Sequence, residues 1–191
     1  MSIAVVILAA GEAKRFGSAK LVVPIDGVPL VRRAAVAALA AMTKVIVVTG
    51  AHRELVEACI ADLAVECVFN ADWAQGLGGS IACGIAALPA TCEAAIIALA
   101  DQALVGTAEF AALIAGHRRA PERIIAAQYS DVAGPPSLFP RRFFGALSLL
   151  DGEHGARQVL QRHDRDIDVV PMPCAALDID TAEDYTALQE H

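Results

Sequence analysis

The chain has 191 residues, 56% of them hydrophobic, and its 15 basic and 22 acidic groups give a formal charge of −7 with histidine neutral. That length fits one domain around one core, and the acidic balance excludes a broad electrostatic partnership with nucleic acid, which needs a basic face. Alanine accounts for 40 of the residues, so the apolar fraction reflects close helix packing, and no apolar run approaches the ~18 residues of a membrane-spanning helix. Residues 3–9, Ile3-Ala4-Val5-Val6-Ile7-Leu8-Ala9, are apolar and rich in β-branched side chains without polar alternation. This is the pattern of a parallel strand buried on both faces. The run begins almost at Met1 without a basic lead, so no signal peptide is expected and a cytoplasmic location is the default.

Pro29 in a first turn predicts a helix over 29–42, followed by a strand over 44–49. Leu55, Val56, Cys59, Ile60 and Leu63 recur at helical spacing and predict a helix over 51–63. Similar apolar runs predict strands at 65–69, 94–99 and 123–127, with helices over 80–88 and 107–118, the latter with Thr107 as N-cap. Alternating β and α elements specify a layered α/β fold with right-handed crossovers. After residue 128 the rhythm changes: Gly134-Pro135-Pro136 reads as unfit for a central strand, and a short apolar Ser137-Leu138-Phe139 follows. Residues 128–165 are therefore expected to form a substrate-side insertion within a single domain spanning 1–191. Helical segments are expected near 140–150 and 155–163, a strand over 167–170, and a helix start at Thr181-Ala182-Glu183-Asp184.

Residues 1–150 carry 12 basic and 12 acidic groups, whereas 151–191 carry 3 and 10. Of three lysines, Lys14 and Lys20 flank Arg15 in one early loop. Cys59, Cys67, Cys83, Cys92 and Cys174 form no C-x-x-C pair and are odd in number, so buried thiols are expected rather than disulfides or a zinc site. His52, His117, His154, His163 and His191 lack the spacing of two ligands on one helix face, and no metal is assigned to them.

The first βα junction reads Leu8-Ala9-Ala10-Gly11-Glu12-Ala13-Lys14-Arg15-Phe16-Gly17-Ser18-Ala19-Lys20. It leaves the carboxyl edge of the first strand, where ligands of doubly wound folds collect. It has neither the G-x-G-x-x-G nor the P-loop pattern. Its small residues permit close backbone approach and its three cations suit a triphosphate, although a solvated surface loop would carry the same residues. Asp101 follows Ile96-Ile97-Ala98-Leu99-Ala100 at the same edge, where a carboxylate suits Mg²⁺ or caps a turn. Without spaced glycines in the loop or an acid after Val47-Val48-Thr49, an NAD-dependent dehydrogenase is disfavoured.

The loop string resembles the L-A-A-G-x-x-x-R-(M/F)-G-x-x-K signature of the nucleotidyltransferases that make molybdopterin dinucleotides. Further segments resemble the family in its own order. They are the hairpin Leu21-Val22-Val23-Pro24-Ile25-Asp26-Gly27-Val28-Pro29-Leu30, the second nucleotide-contacting segment Asn70-Ala71-Asp72-Trp73-Ala74-Gln75-Gly76-Leu77-Gly78-Gly79-Ser80-Ile81 and the metal motif Leu99-Ala100-Asp101-Gln102. Gly134-Pro135-Pro136-Ser137-Leu138-Phe139, Gly152-Glu153-His154-Gly155-Ala156-Arg157 and Asp178-Ile179-Asp180-Thr181-Ala182-Glu183-Asp184 complete the series, which spans residues 5–185. Ala103, Glu153 and Ala182 depart from the family's proline, aspartate and proline. None of the three removes a charged ligand, and the lost prolines mainly loosen local turns.

The resemblance implies a single-domain, Rossmann-like three-layer α/β nucleotidyltransferase fold with a mostly parallel sheet. It implies Mg²⁺ as cofactor, CTP or GTP and molybdopterin cofactor as substrates, a molybdoenzyme as a candidate recipient, and neither nucleic acid nor membrane as partner. Lys20, Arg15 and Asp101 are carried over as catalytic, the two cations neutralising the departing pyrophosphate. Leu8, Ala9, Ala10, Gly11, Arg15, Lys20, Asp72, Gly78, Gly79 and Ser80 are carried over to the nucleotide. Asp101 is carried over as metal ligand, with Asp178 or Asp180 as its second carboxylate, and Gly134, Pro135, Pro136 and Arg157 are candidates for the pterin. The implied reaction is in-line attack of the molybdopterin phosphate on the α-phosphorus, helped by alignment and charge stabilisation. Ala9-Ala10-Gly11 resembles the cytidylyl branch, since the guanylyl branch tends to glycine at the position of Ala10, so CTP is favoured over GTP. Another phosphorylated acceptor keeps the same site; a non-catalytic cofactor chaperone would have little use for Asp101, Lys20 and Arg15.

Overall fold

A computed structural model describes residues 2–13, 16, 19–42, 44–152, 155–177, 179 and 184. In chain order the elements are β1 (Ile3–Ala9), β2 (Pro24–Ile25), β3 (Val28–Pro29), α1 (Leu30–Ala41), β4 (Val45–Thr49), α2 (Arg53–Ile60), β5 (Glu66–Phe69) and α3 (Leu77–Ala86). They continue with β6 (Ala94–Leu99), α4 (Thr107–Arg119), β7 (Ile124–Tyr129), β8 (Val132–Pro140), α5 (Phe144–Ser148), α6 (Arg157–Arg162) and β9 (Ile167–Pro171). One sheet of seven strands has the order β5-β4-β1-β6-β8-β7-β9, and β2 and β3 form a separate hairpin. β1 is parallel to β4 and β6, β4 to β5, and β7 to β9, whereas β8 is antiparallel to both neighbours. This is the mostly parallel α/β architecture expected from the alternating pattern.

Every residue of β1 is buried, because helices cover both faces of the sheet. Ile3, Val5, Ile7 and Ala9 pack toward α1, α2 and α4, while Val6 and Leu8 pack toward α3, α5 and α6. Small residues make this close packing possible. Ala34, Ala35 and Ala38 turn α1 onto the sheet. Gly84 lets α3 approach so far that an added Cβ would run into Val6 Cγ1 and stand 3.0 Å from Val48 Cγ2.

The structure corrects several expectations. Gly134, Pro135 and Pro136 lie within β8, an interior strand. The register jumps from Ala126↔Ser137 to Ala127↔Gly134, so the two prolines are the extra residues of a bulge, and pairing with β6 covers only 137–140. Residues without an N–H occupy the place where the ladder asks for none. The stretch 128–165 thus supplies a central strand rather than only an insertion.

α3 starts at Leu77, three residues before the expected start. Gly76, at φ 119°, makes the break immediately before it. α2 is shorter than expected because a turn precedes it, with the Arg53 N–H donating to Gly50 O at 3.2 Å. The expected 140–150 helix shrinks to α5 because Pro140 ends β8. Gly106, not Thr107, precedes α4; its N–H donates to Glu109 Oε2 at 2.9 Å, and Thr107 Oγ1 reaches Ala37 O instead. All five cysteines are free; Cys92 is buried and Cys59, Cys83 and Cys174 are half-buried, but Cys67 on the edge strand β5 is exposed. The helix start expected at 181–184 lies outside the described residues except for Asp184. No helix among the described residues is long and apolar enough to cross a membrane.

Gly84→Ala is expected to lower stability by about 1–3 kcal/mol, through overpacking against Val6, with the change read from the urea unfolding midpoint. His117 on α4 is 2% exposed, and burial holds its pKa below the ordinary imidazole value. The unfolded chain therefore takes up this proton first, so stability is fully present above about pH 6.5 and falls as the pH drops below it. Melting temperatures measured between pH 7.5 and 5 should fall more steeply for the parent protein than for His117→Gln.

Candidate active site

β1 and β6 run side by side to the same sheet edge, in register from Ile3↔Ala94 to Leu8↔Leu99. There the loop after β1 faces the segment leading into α3, and a cavity of about 350 Å³ opens between them. Its first wall comprises Leu8, Ala9, Ala10, Gly11, Glu12 and Ala13, joined by Lys20 and Leu21. The opposite wall comprises Trp73, Ala74, Gly76, Leu77 and Ser80, and Leu99 and Asp101 close the end. Seven residues singled out from the sequence, Leu8, Ala9, Ala10, Gly11, Lys20, Ser80 and Asp101, thus share one cleft.

Lys20 lies in a 3-10 turn, Lys20–Val22, and its Nζ donates to Asp101 Oδ2 at 2.7 Å across 81 residues of chain. The two side chains are only 11% and 20% exposed. Asp101 Oδ1 is buried and takes no hydrogen bond. A carboxylate with one oxygen committed to a cation and the other unsatisfied fits a hard divalent metal. Among the described residues no group of three His, Cys, Asp or Glu side chains is placed to hold one. Arg15, Asp178 and Asp180 lie outside the described residues. Ile179, between the last two in sequence, is buried, and its N–H donates to Asp101 O at 3.3 Å.

Gln102, which the sequence reading quoted without assigning a role, is 3% exposed. Its Nε2 donates to Ala175 O at 2.8 Å and to Pro135 O at 3.0 Å, clipping both the β8 bulge and the carboxyl-terminal segment to the end of β6. Asn70 does the same for the opposite wall. Its N–H donates to Thr49 O, its Nδ2 to Ser80 Oγ at 3.1 Å, and its Oδ1 accepts from the Asp72 N–H at 3.0 Å. Trp73, within the expected nucleotide-contacting segment but given no role of its own, lines the cleft, and a lone tryptophan in a chain with 5% aromatic residues is the signal that marks it.

Other expected contacts are not brought to the cleft. Asp72 is exposed and accepts from Gln75 Nε2, so it holds a turn. The Gly78 N–H donates to Gly152 O at 3.0 Å and is spent on packing α3 against the chain before α6. Gly79 does not line the cavity. Gly134 packs against the Tyr129 hydroxyl, Pro135 and Pro136 occupy the bulge, and Arg157 is exposed at the start of α6.

The profile of the MobA-like NTP transferase domain matches residues 5–167. Nicotine blue oxidoreductase of Paenarthrobacter nicotinovorans is 32% identical over 190 residues, covering 93% of this chain and 92% of that protein. The crystal structure of Rv0371c from Mycobacterium tuberculosis H37Rv is similar with a TM-score of 0.89 and 26% identity, covering 100% of this chain and 98% of that one. The manganese complex of Rv0371c gives a TM-score of 0.83 at 25% identity, covering 100% and 99%.

Gln102→Leu keeps the bulk at this position but strips the Ala175 and Pro135 carbonyls of their donor. It should cost about 1–3 kcal/mol in urea unfolding, the penalty of polar groups buried without partners.

Proposed function

The chain belongs to the MobA-like NTP transferase family, and from that premise we propose a divalent-metal-dependent cytidylyltransferase that joins CMP from CTP to molybdopterin cofactor and releases pyrophosphate. The observation that carries this reading is the Lys20–Asp101 pair, 2.7 Å long, with Asp101 Oδ1 left unsatisfied inside a cleft walled by small residues. The wall from Leu8 to Gly11 lets the backbone approach the nucleotide, and Ala10 within it favours CTP over GTP. Lys20, with Arg15, would contact the triphosphate, where a fixed cation offsets the charge that grows as pyrophosphate leaves. Asp101, with Asp178 or Asp180, would hold Mg²⁺, which supplies further neutralisation of the phosphate oxygens when bound. The protein's part is then to align the acceptor phosphate with the α-phosphorus and to exclude competing water, with no covalent enzyme intermediate. Gly134, Pro135, Pro136 and Arg157 remain the proposed acceptor side, with the proline bulge held by the Gln102 clip. Asp72, Gly78 and Gly79 act by shaping the segment that carries Trp73 and Ser80. Five free cysteines suit a reducing, cytoplasmic setting.

The name of the P. nicotinovorans relative, an oxidoreductase, favours a second reading in which the same cleft binds the diphosphate of a redox dinucleotide.

One assay separates the two. Pyrophosphate release is measured with Mg²⁺ and molybdopterin against CTP, GTP, ATP and UTP, alongside binding of NADH and NADPH. Release that requires both CTP and pterin, and that Asp101→Asn abolishes while the fold stays intact, is the expected result. Release with GTP alone would reverse the choice of base. Reduced dinucleotide bound tightly by a protein inert toward every triphosphate would replace the transferase reading with the second one.

A further inference from the structure

We infer that the turn between β4 and α2, residues 50–52, is the positioning device of the cleft, with Gly50 setting the spacing of its two walls and His52 aiming the loop after β1. The inference about ligand binding rests on the triphosphate reading above; the spacing of the walls does not.

One wall hangs from this turn and the other from Thr49, the last residue of β4, immediately before it. On the loop side, the Ala51 N–H donates to Ala10 O at 3.0 Å, and His52 Nε2 donates to Glu12 O at 3.1 Å. On the other side, the Asn70 N–H donates to Thr49 O at 2.9 Å, immediately before the turn, and Asn70 carries the segment with Trp73 and Ser80. Gly50 lies between the walls. A Cβ there would stand 2.5 Å from Ala10 O, 2.8 Å from Ala10 Cβ and 2.7 Å from Trp73 Cβ. Gly50 is not among the residues with positive φ, so glycine is required for space and not for conformation. The least addition, a methyl group, must push Ala10 or Trp73, and both line the cavity.

The two carbonyl tethers also fix the direction of the loop. In a trans peptide the C=O and the following N–H point opposite ways. With Ala10 O and Glu12 O drawn to the turn, the N–H groups of Gly11 and Ala13 point away from it. Gly11 and Ala13 line the cleft; residues 50–52 do not. Two backbone N–H groups turned the same way, here on alternate residues, can both donate to phosphate oxygens. His52 and Gly50 are thus positioning residues that touch no substrate.

The chain's only tryptophan, Trp73, reports on this arrangement. Its emission and acrylamide quenching are recorded in the free protein, and CTP and inorganic pyrophosphate are titrated against the parent, Gly50→Ala, His52→Ala and His52→Gln. Gly50→Ala should change the ligand-free Trp73 signal, and unchanged emission and quenching would overturn the spacing role whatever the chain binds. His52→Ala should leave the free signal alone and weaken both CTP and pyrophosphate about three- to tenfold, the worth of one hydrogen bond, with partial recovery in His52→Gln. The matching kinetic sign is a raised KM for CTP with kcat nearly kept, which a general loss of stability would not give. Parent-like affinity of folded His52→Ala for both probes would overturn the aiming role, and it decides the matter even where Gly50→Ala does not fold. A parent protein that binds neither probe would instead count against the proposed function, with the free-protein signal still testing the spacing.

Discussion

The structure turns on one charge pair. Lys20 and Asp101 come from opposite ends of a long sequence separation and meet at 2.7 Å with little solvent around either. A charge so far removed from water is costly alone, and pairing with an opposite charge makes the burial of both tolerable. That requirement brings the loop after β1 back across the sheet edge to the end of β6, which is possible because β1 and β6 are neighbours and end together. The pair is also incomplete, since Asp101 Oδ1 has no donor. In the proposed reaction each partner exchanges the other for a ligand of the same charge sign: phosphate for Lys20, metal for Asp101.

The fold was legible where one physical rule acted alone. β1, β4 and β6 are continuous apolar runs because helices cover both their faces, and nothing in their sequence competes with that reading. α1 was legible from Pro29 at its start and α4 from apolar spacing. Local and tertiary signals conflict at β8 and α3, and there the sequence misleads. Two prolines argue against a central strand until the bulge between Ala126 and Ala127 relieves them of pairing. Gly78 and Gly79 look like a loop, yet they form the first turn of α3 because Gly78 must pass against the backbone of Asp151, which an added Cβ would meet at 2.5 Å. Propensity describes the isolated chain, whereas close contact at these positions is decided by the assembled one.

The candidate site divides in the same way. Residues that carry charge or form a contiguous small-residue string, Lys20, Asp101 and Leu8 to Gly11, were legible because their type already states their chemistry. Gln102, Asn70, Gly50 and His52 were not, because a glutamine that donates to Ala175 and Pro135 has no sequence pattern. Its partners are backbone carbonyls 33 and 73 residues away. The resemblance placed Asp72 and Gly78 at the nucleotide, and the structure gives them to a turn and a helix contact.

Membership in the family leaves two chemistries in view, because one fold hosts unrelated functions and the site must decide between them. Charge separates them. A redox dinucleotide presents a diphosphate whose charge does not change as hydride moves elsewhere, and static donors suffice to hold it. A carboxylate beside that diphosphate would repel it, and Asp101 with an unsatisfied Oδ1 would be a liability in such a cleft. Nucleotidyl transfer, by contrast, moves negative charge onto the leaving phosphates, and a metal ion held by Asp101 would answer that charge together with the cation of Lys20. An acid lining a phosphate cleft is useful when it carries a metal there, and the Lys20–Asp101 pair is for that reason better suited to the transferase than to the reductase.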